Sequence, residues 1–209
     1  MNYTITNVKD MRFDAITDYL GFEIEELTNA GAIIAGGALR TLLDEEDEVN
    51  DIDLFFTSQE GIDNTKHLLE NKDFVQVFAC PLGHLFTYVL FDEDTKKPDG
   101  SVQKNVLAKV QLITRELYRN VDHVVSTFDL MPCCVAWDGK QLVFAEKWTR
   151  SVRKKMLYLN NLTYPVATLN RVDKYKQKGY YAPEGFYIDI IKEIQGKVFN
   201  GEELALYID

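Results

Sequence analysis

Two aspartates one residue apart, Asp51 and Asp53 in Asp51-Ile52-Asp53-Leu54-Phe55-Phe56, are the residues of this chain whose type and spacing promise chemistry. In a strand, residues two apart point to the same side, so both carboxylates project together while Ile52 turns into the core. Two co-facing carboxylates suit Mg²⁺ or Mn²⁺, hard cations that commonly share their oxygen ligands with substrate phosphates. Upstream, the small apolar run Ala32-Ile33-Ile34-Ala35 ends in Gly36-Gly37 and then Ala38-Leu39-Arg40-Thr41-Leu42-Leu43. Glycines at a strand-to-helix turn let backbone N–H groups approach a phosphate, and Arg40 stands within reach of it. A phosphate cradle beside a metal pair implies chemistry on a nucleoside triphosphate.

The elements that must position these groups follow from periodicity. Phe13, Ile16, Leu20, Ile24 and Leu27 predict an amphipathic helix from Phe13 to Asn29. Ala32–Ala35 reads as a strand, Gly36-Gly37 opens a helix through Leu43, and Ile52–Thr57 is the strand that carries the aspartates. A helix starts at Ser58 or Gln59. Three β-rich runs follow, Phe74 to Ala79, His84 to Phe91 and Val106 to Ile113, with a turn or loop between Asp92 and Lys104. Arg115 to Thr127 is expected to be helical, and Asp138-Gly139 marks a hairpin that pairs Gln141–Phe144 with the run ending at Trp137. Val166 to Lys178, Phe186 to Gln195 and Glu202–Ile208 read as helices. Strands come first and helices crowd the end, so the expected fold class is α+β, with a head over residues 1–145 and a helical, partly basic lobe over 146–209.

Composition narrows the setting. The 209 residues are 46% hydrophobic, those of a globular protein, with no apolar run long enough for a membrane span and no signal-peptide pattern. Three cysteines, Cys80 and the adjacent Cys133-Cys134, suit a reducing compartment, and we expect a cytoplasmic protein. The net charge of −10 argues against a general nucleic-acid binder. It is unevenly spread, however: the stretch from Lys147 to Lys178 holds nine lysines and arginines against the single Asp173. Such a segment suits a triphosphate or an RNA end, through Lys154 and Lys155 in particular, or is the solvated face of two helices. The tyrosines interspersed with it, Tyr158, Tyr164, Tyr175, Tyr180 and Tyr181, are candidates for stacking on a base or for core packing.

Taken together, the strand, the Gly-Gly turn and the D-x-D strand resemble the signature of the polymerase β-type nucleotidyltransferase superfamily. The later chain resembles the head domain of class II CCA-adding enzymes and bacterial poly(A) polymerases, in a compact stand-alone form of the kind found in phage and bacterial genomes. Their G-G-x-V-R-D is similar to Gly36-Gly37-Ala38-Leu39-Arg40-Thr41, with Thr41 in place of the final Asp. Their R-R-D-F-T-x-N-A and following D-G turn are similar to the stretch from Thr127 to Gly139, without the two arginines. Their base-selecting E-D-x-x-R has no counterpart in Thr163-Tyr164-Pro165-Val166-Ala167. The resemblance implies a mixed sheet with flanking helices, a third metal-binding carboxylate, which we assign to Asp129, and phosphate contacts from Gly36, Gly37, Arg40, Lys154 and Lys155. It implies Mg-dependent transfer of a nucleoside monophosphate from a triphosphate such as ATP to an acceptor hydroxyl, with an RNA 3′ end such as that of tRNA favoured and a protein or small molecule as alternatives. Gln111, where an acid is sought on the neighbouring strand, and Thr41, where the family has Asp, leave open a second possibility, a catalytically lapsed fold that binds nucleotide or a partner.

Overall fold

In the computed structural model, residues 2–5, 13–44, 48–92, 95–96, 102–103 and 105–195 are described. The strand elements are β1 (Asn2–Ile5), β2 (Ala32–Ala35), β3 (Ile52–Phe56), β4 (Val75–Ala79), β5 (Leu85–Phe91), β6 (Thr95–Lys96), β7 (Val102–Gln103), β8 (Val106–Ile113), β9 (Val135–Trp137) and β10 (Leu142–Ala145). Eight of them form one mixed sheet in the order β1-β10-β9-β2-β3-β8-β5-β4, and β6 and β7 form a separate small pair. Only β3 and β8 run parallel; every other neighbouring pair in the large sheet is antiparallel.

Strand alternation decides what each face covers. Ile34, Ile52, Leu54 and Phe56 point into one core, shared with α1 (Asp14–Leu20), α2 (Glu25–Asn29) and α3 (Gln59–Asn71). Ile33, Ala35 and Phe55 point to the opposite face, where α4 (Val121–Thr127) packs. A third cluster joins Leu130 and Leu157 to α6 (Pro165–Gln177) and α7 (Glu184–Gln195) through Val172, Tyr175, Phe186 and Ile190. Between them lies α5 (Trp148–Arg153), whose Trp148 and Val152 enter the first core rather than the third. The architecture is the expected α+β arrangement, a mixed sheet with flanking helices and a helical group after it.

Several boundaries differ from the sequence expectation for local reasons. The helix expected from Phe13 to Asn29 is two helices, because Gly21 takes φ +75° and its N–H closes on the Thr17 carbonyl as a left-handed stop. α4 starts only at Val121, where the Asn120 side chain accepts the His123 N–H at 2.9 Å as an N-cap. Ser58 caps α3 in the same way, accepting the Gly61 N–H at 3.1 Å. The Asp138-Gly139 hairpin forms as expected, with Asp138 Oδ1 accepting the N–H groups of Lys140 and Gln141. The edge strand β1, absent from the sequence reading, pairs with β10. The turn at Pro98-Asp99-Gly100 and the expected helix Glu202–Ile208 lie outside the described residues. Among the described residues no helix is long and apolar enough to cross a membrane.

Candidate functional site

β3 carries Asp53, and Asp51 immediately precedes it. The strand lies between β2, with Ala35 opposite Asp53, and β8, with Gln111 opposite Asp53. The methyl of Ala35 and the absence of any side chain at Gly36 leave space for the carboxylate. Gly36 has φ +81°, and a Cβ there would sit 3.4 Å from the Phe128 ring and 3.6 Å from Asp53 Oδ2. Glycine is needed at 36 for its backbone angle, and the turn lies directly against the carboxylate.

The phosphate cradle expected at Gly36-Gly37 takes a different form. The Gly36 N–H donates to the Val135 carbonyl at 3.0 Å and is committed to the sheet. Gly37 to Leu42 is a 3₁₀ helix of six residues, too short to give a strong anion site at its start. Thr41 Oγ1 bonds back to the Ala38 carbonyl at 2.8 Å, a local bond that competes with extension into an α-helix. Arg40, expected near a phosphate or in a surface ion pair, is only 4% exposed and folds under Gly37. Its Nη1 donates to the Tyr175 hydroxyl at 2.9 Å, and that hydroxyl lies 2.7 Å from Cys133 Sγ. Burial pushes the Tyr175 phenol and the Cys133 thiol up, so both are neutral partners of the guanidinium.

Asp53 lines a cavity of about 840 Å³ together with Asp51, Lys109, Gln111, Asp129 and the inner face of α6. Enclosure, and secondly the charge of Asp51, push the Asp53 carboxyl up to about 7, while Lys109, Lys174 and Arg171 pull it down. Asp51 Oδ2 is 3.0 Å from Lys109 Nζ, a half-exposed ion pair. Lys109 went unnoticed in the sequence. The clue was its alternation with Gln111 along β8, which puts both on the side of the aspartates.

Asp129 reaches the same cavity but not the same cluster. Its Oδ2 accepts from Arg171 Nη1 at 2.5 Å and from Thr168 Oγ1 at 2.7 Å, and its Oδ1 accepts the Leu130 N–H at 2.8 Å. Among the described residues no three His, Cys, Asp or Glu side chains stand together as a metal site. Of the three carboxylates expected at the site, Asp51 and Asp53 stand together, and Asp129 is engaged by α6 and by its own turn. Asp51 and Asp53 offer the donor set for a divalent cation, whose charge would offset the enclosure and the like charge that together raise Asp53.

The basic segment also resolves differently. Lys155, at φ +48°, ion-pairs with Asp44 and lies 5.3 Å over the Tyr180 ring. Neither Lys154 nor Lys155 lines the cavity. The cations that do are Arg171 and Lys174 on α6 and Lys178 at its C-cap, with Arg115 and Lys109 from the sheet side. Residues 171, 174 and 178 recur at helical spacing, a signal present in the sequence and overlooked in favour of the adjacent lysine pair. Of the five tyrosines, Tyr164 and Tyr175 line the cavity, and Tyr180 is core.

Comparison with known proteins gives a consistent picture. The sequence model described as "Gabija anti-defense 2 family protein" matches residues 8–155. A curated protein named "Gabija anti-defense 2" from Bacillus phage SPbetaL7 is 29% identical over 189 residues, covering 88% of this chain and 43% of that protein. Among solved structures, a CCA-adding enzyme in complex with ATP aligns with a TM-score of 0.58 at 12% identity, over 98% of this chain and 49% of the enzyme. The Thermotoga maritima CCA-adding enzyme complexed with tRNA aligns at 0.52 and 11% identity, over 94% and 46%. The chain thus spans about half the length of the proteins it matches. The structural likeness establishes the nucleotidyltransferase fold.

Proposed function

The chain belongs to the Gabija anti-defense 2 family, and from that premise we propose that it counters a bacterial defence as a Mg-dependent nucleotidyltransferase acting in the host cytoplasm. A nucleoside triphosphate enters the cavity between β3 and α6. An acceptor hydroxyl attacks its α-phosphorus and gives up its proton to water; a new P–O bond forms as the bond from the α-phosphorus to the bridging oxygen breaks, and pyrophosphate leaves. The observation that carries the reading is one juxtaposition: Asp51 and Asp53 face, within a single cavity, the cations of α6. Carboxylates for a metal opposite cations for phosphate are the two halves that phosphoryl chemistry requires.

Each residue has a part. Asp51 and Asp53 are the groups that would hold Mg²⁺, or Mn²⁺ in its place, with Lys109 as the counter-charge of Asp51. The metal would supply neutralisation of phosphate charge and polarisation of the phosphoryl oxygens. Arg171, Lys174 and Lys178 attract the phosphates, taking the part first given to Lys154, Lys155 and the Gly36-Gly37 amides. Asp129 acts by positioning: with Thr168 it holds Arg171 at the cavity wall. In this division residues 1–145 supply the carboxylates, and the segment from 146 onward supplies the α6 cations. The favoured acceptor is an RNA 3′ end such as that of tRNA, because the cationic helix would also attract a strand end.

A second reading is supported by Gln111 opposite Asp53 and by the engagement of both Asp129 oxygens: a nucleotide-binding module without turnover. Incubation with each nucleoside triphosphate, Mg²⁺ or Mn²⁺, and total RNA separates the two. Pyrophosphate release that disappears in Asp53→Asn supports transfer. Saturable nucleotide binding with no pyrophosphate under any condition replaces the enzyme with the module.

A further inference from the structure

α6 carries a graded stripe toward the cavity. Tyr164 stands just before Pro165 at its start, Arg171 lies seven residues later and Lys178 seven later again, and all three line the cavity. Residues seven apart share a helix face, and the rise of 1.5 Å per residue puts Tyr164 about 10 Å from Arg171 along the axis. The separation between a nucleobase and its phosphates is of this order. The cationic part of the stripe lies near the carboxylates, since Arg171 and Lys174 both act on Asp53. The aromatic end, seven residues before Arg171, lies beside Arg115. Arg115 Nη1 is 3.3 Å from the Tyr164 hydroxyl, and its Cζ is 5.7 Å from the ring centroid. The buried Tyr118 also lines the cavity. A phenol ring with a guanidinium beside it offers the π surfaces on which bases stack.

Resting on the nucleoside-triphosphate reading of the cavity, we propose that Tyr164 and Arg115 form a platform that binds the nucleobase by its face, so that the substrate class is nucleoside triphosphates without preference for the base. A base held by stacking is not sorted by its hydrogen-bonding edge, because every base presents a π-face.

The experiment is calorimetric titration of the protein, with Mg²⁺, by ATP, GTP, CTP, UTP and inorganic tripolyphosphate. The four nucleotides are expected to bind within about threefold of one another and more tightly than tripolyphosphate. Tyr164→Ala should weaken all four by about 5- to 150-fold, the value of one base stack, and leave tripolyphosphate unchanged. Tyr164→Phe, which keeps the ring, should recover most of the loss. A strong preference for one base overturns the proposal, as does a Tyr164→Ala variant that binds nucleotides like the unaltered protein. Equal weakening of tripolyphosphate overturns it too, because Tyr164 would then serve the phosphates or the fold. If the unaltered protein binds neither nucleotides nor tripolyphosphate, the nucleotide reading itself fails, a result distinct from all of these.

Discussion

Asp53 combines enclosure, the like charge of Asp51 and three nearby cations that only partly compensate. Its carboxyl is raised from 3.8 to about 7, so between these values the folded protein holds a proton that the unfolded chain has released. The stability from this group is therefore present at low pH and is lost as pH rises through about 7. A shift of this size in a dry interior would correspond to roughly 4 kcal/mol, but Asp53 meets the water of the cavity, and about 1–2 kcal/mol is the better expectation. Asp53→Asn should thus stabilise the protein at pH 8 and make little difference near pH 4. Thermal melts at both values test this; equal effects at the two would show that Asp53 ionises as freely as in the unfolded chain. Added Mg²⁺ should raise the melting temperature of the unaltered protein at pH 8 and not that of Asp53→Asn, if the carboxylate pair holds the ion. Gly36→Ala forces a Cβ onto φ +81° beside Phe128 and should cost about 1–3 kcal/mol, read as a lower denaturation midpoint.

At the scale of elements, α6 holds the candidate site together through Thr168 and Arg171, both bonded to Asp129. Thr168→Val keeps the shape and removes one of two hydrogen bonds to Asp129 Oδ2. It should cost about 1–2 kcal/mol and weaken triphosphate binding severalfold, because Arg171 loses its fixed partner. Unchanged binding with reduced stability would confine Thr168 to a structural part. The sequence made β2, β3, β5, β8, the hairpin and both late helices legible because their apolar periods are strong. Helix limits were less so: Gly21 and Asn120 ended or began helices through single backbone bonds that periodicity does not register. The cavity cations are hard to see in the sequence for a related reason. Lys154 and Lys155 stand out as a run, whereas Arg171, Lys174 and Lys178 become a cluster only when wound on a helix, and Lys109 only when placed beside β3.

For the molecule as a whole, the candidate site depends on the helical group staying against the sheet, and sequence spacing carries no information about that docking. A polar junction made by three residues far apart in the chain helps secure it: Arg40 from the 3₁₀ turn, Cys133 from the turn before β9 and Tyr175 from α6, joined through the Tyr175 hydroxyl. Leu130, from the chain leading into that turn, supplies the apolar part by packing among Leu157, Leu162 and Val172. Removing the hydroxyl leaves the buried Arg40 guanidinium short of one acceptor, a cost set more by the stranded partner than by the bond itself. Tyr175→Phe should therefore destabilise the protein by about 1–3 kcal/mol while preserving ring packing against Tyr180. It should also weaken triphosphate binding, since Lys174 and Lys178 ride on the same helix as the lost contact. Arg40→Met alone should show a similar loss of stability, and the double variant less than the sum, because the guanidinium that loses one acceptor in Tyr175→Phe is then absent. A double-mutant cycle by denaturant unfolding measures that coupling. Strict additivity would mean that the junction does not couple α6 to the sheet and that apolar packing around Leu130 holds the site closed.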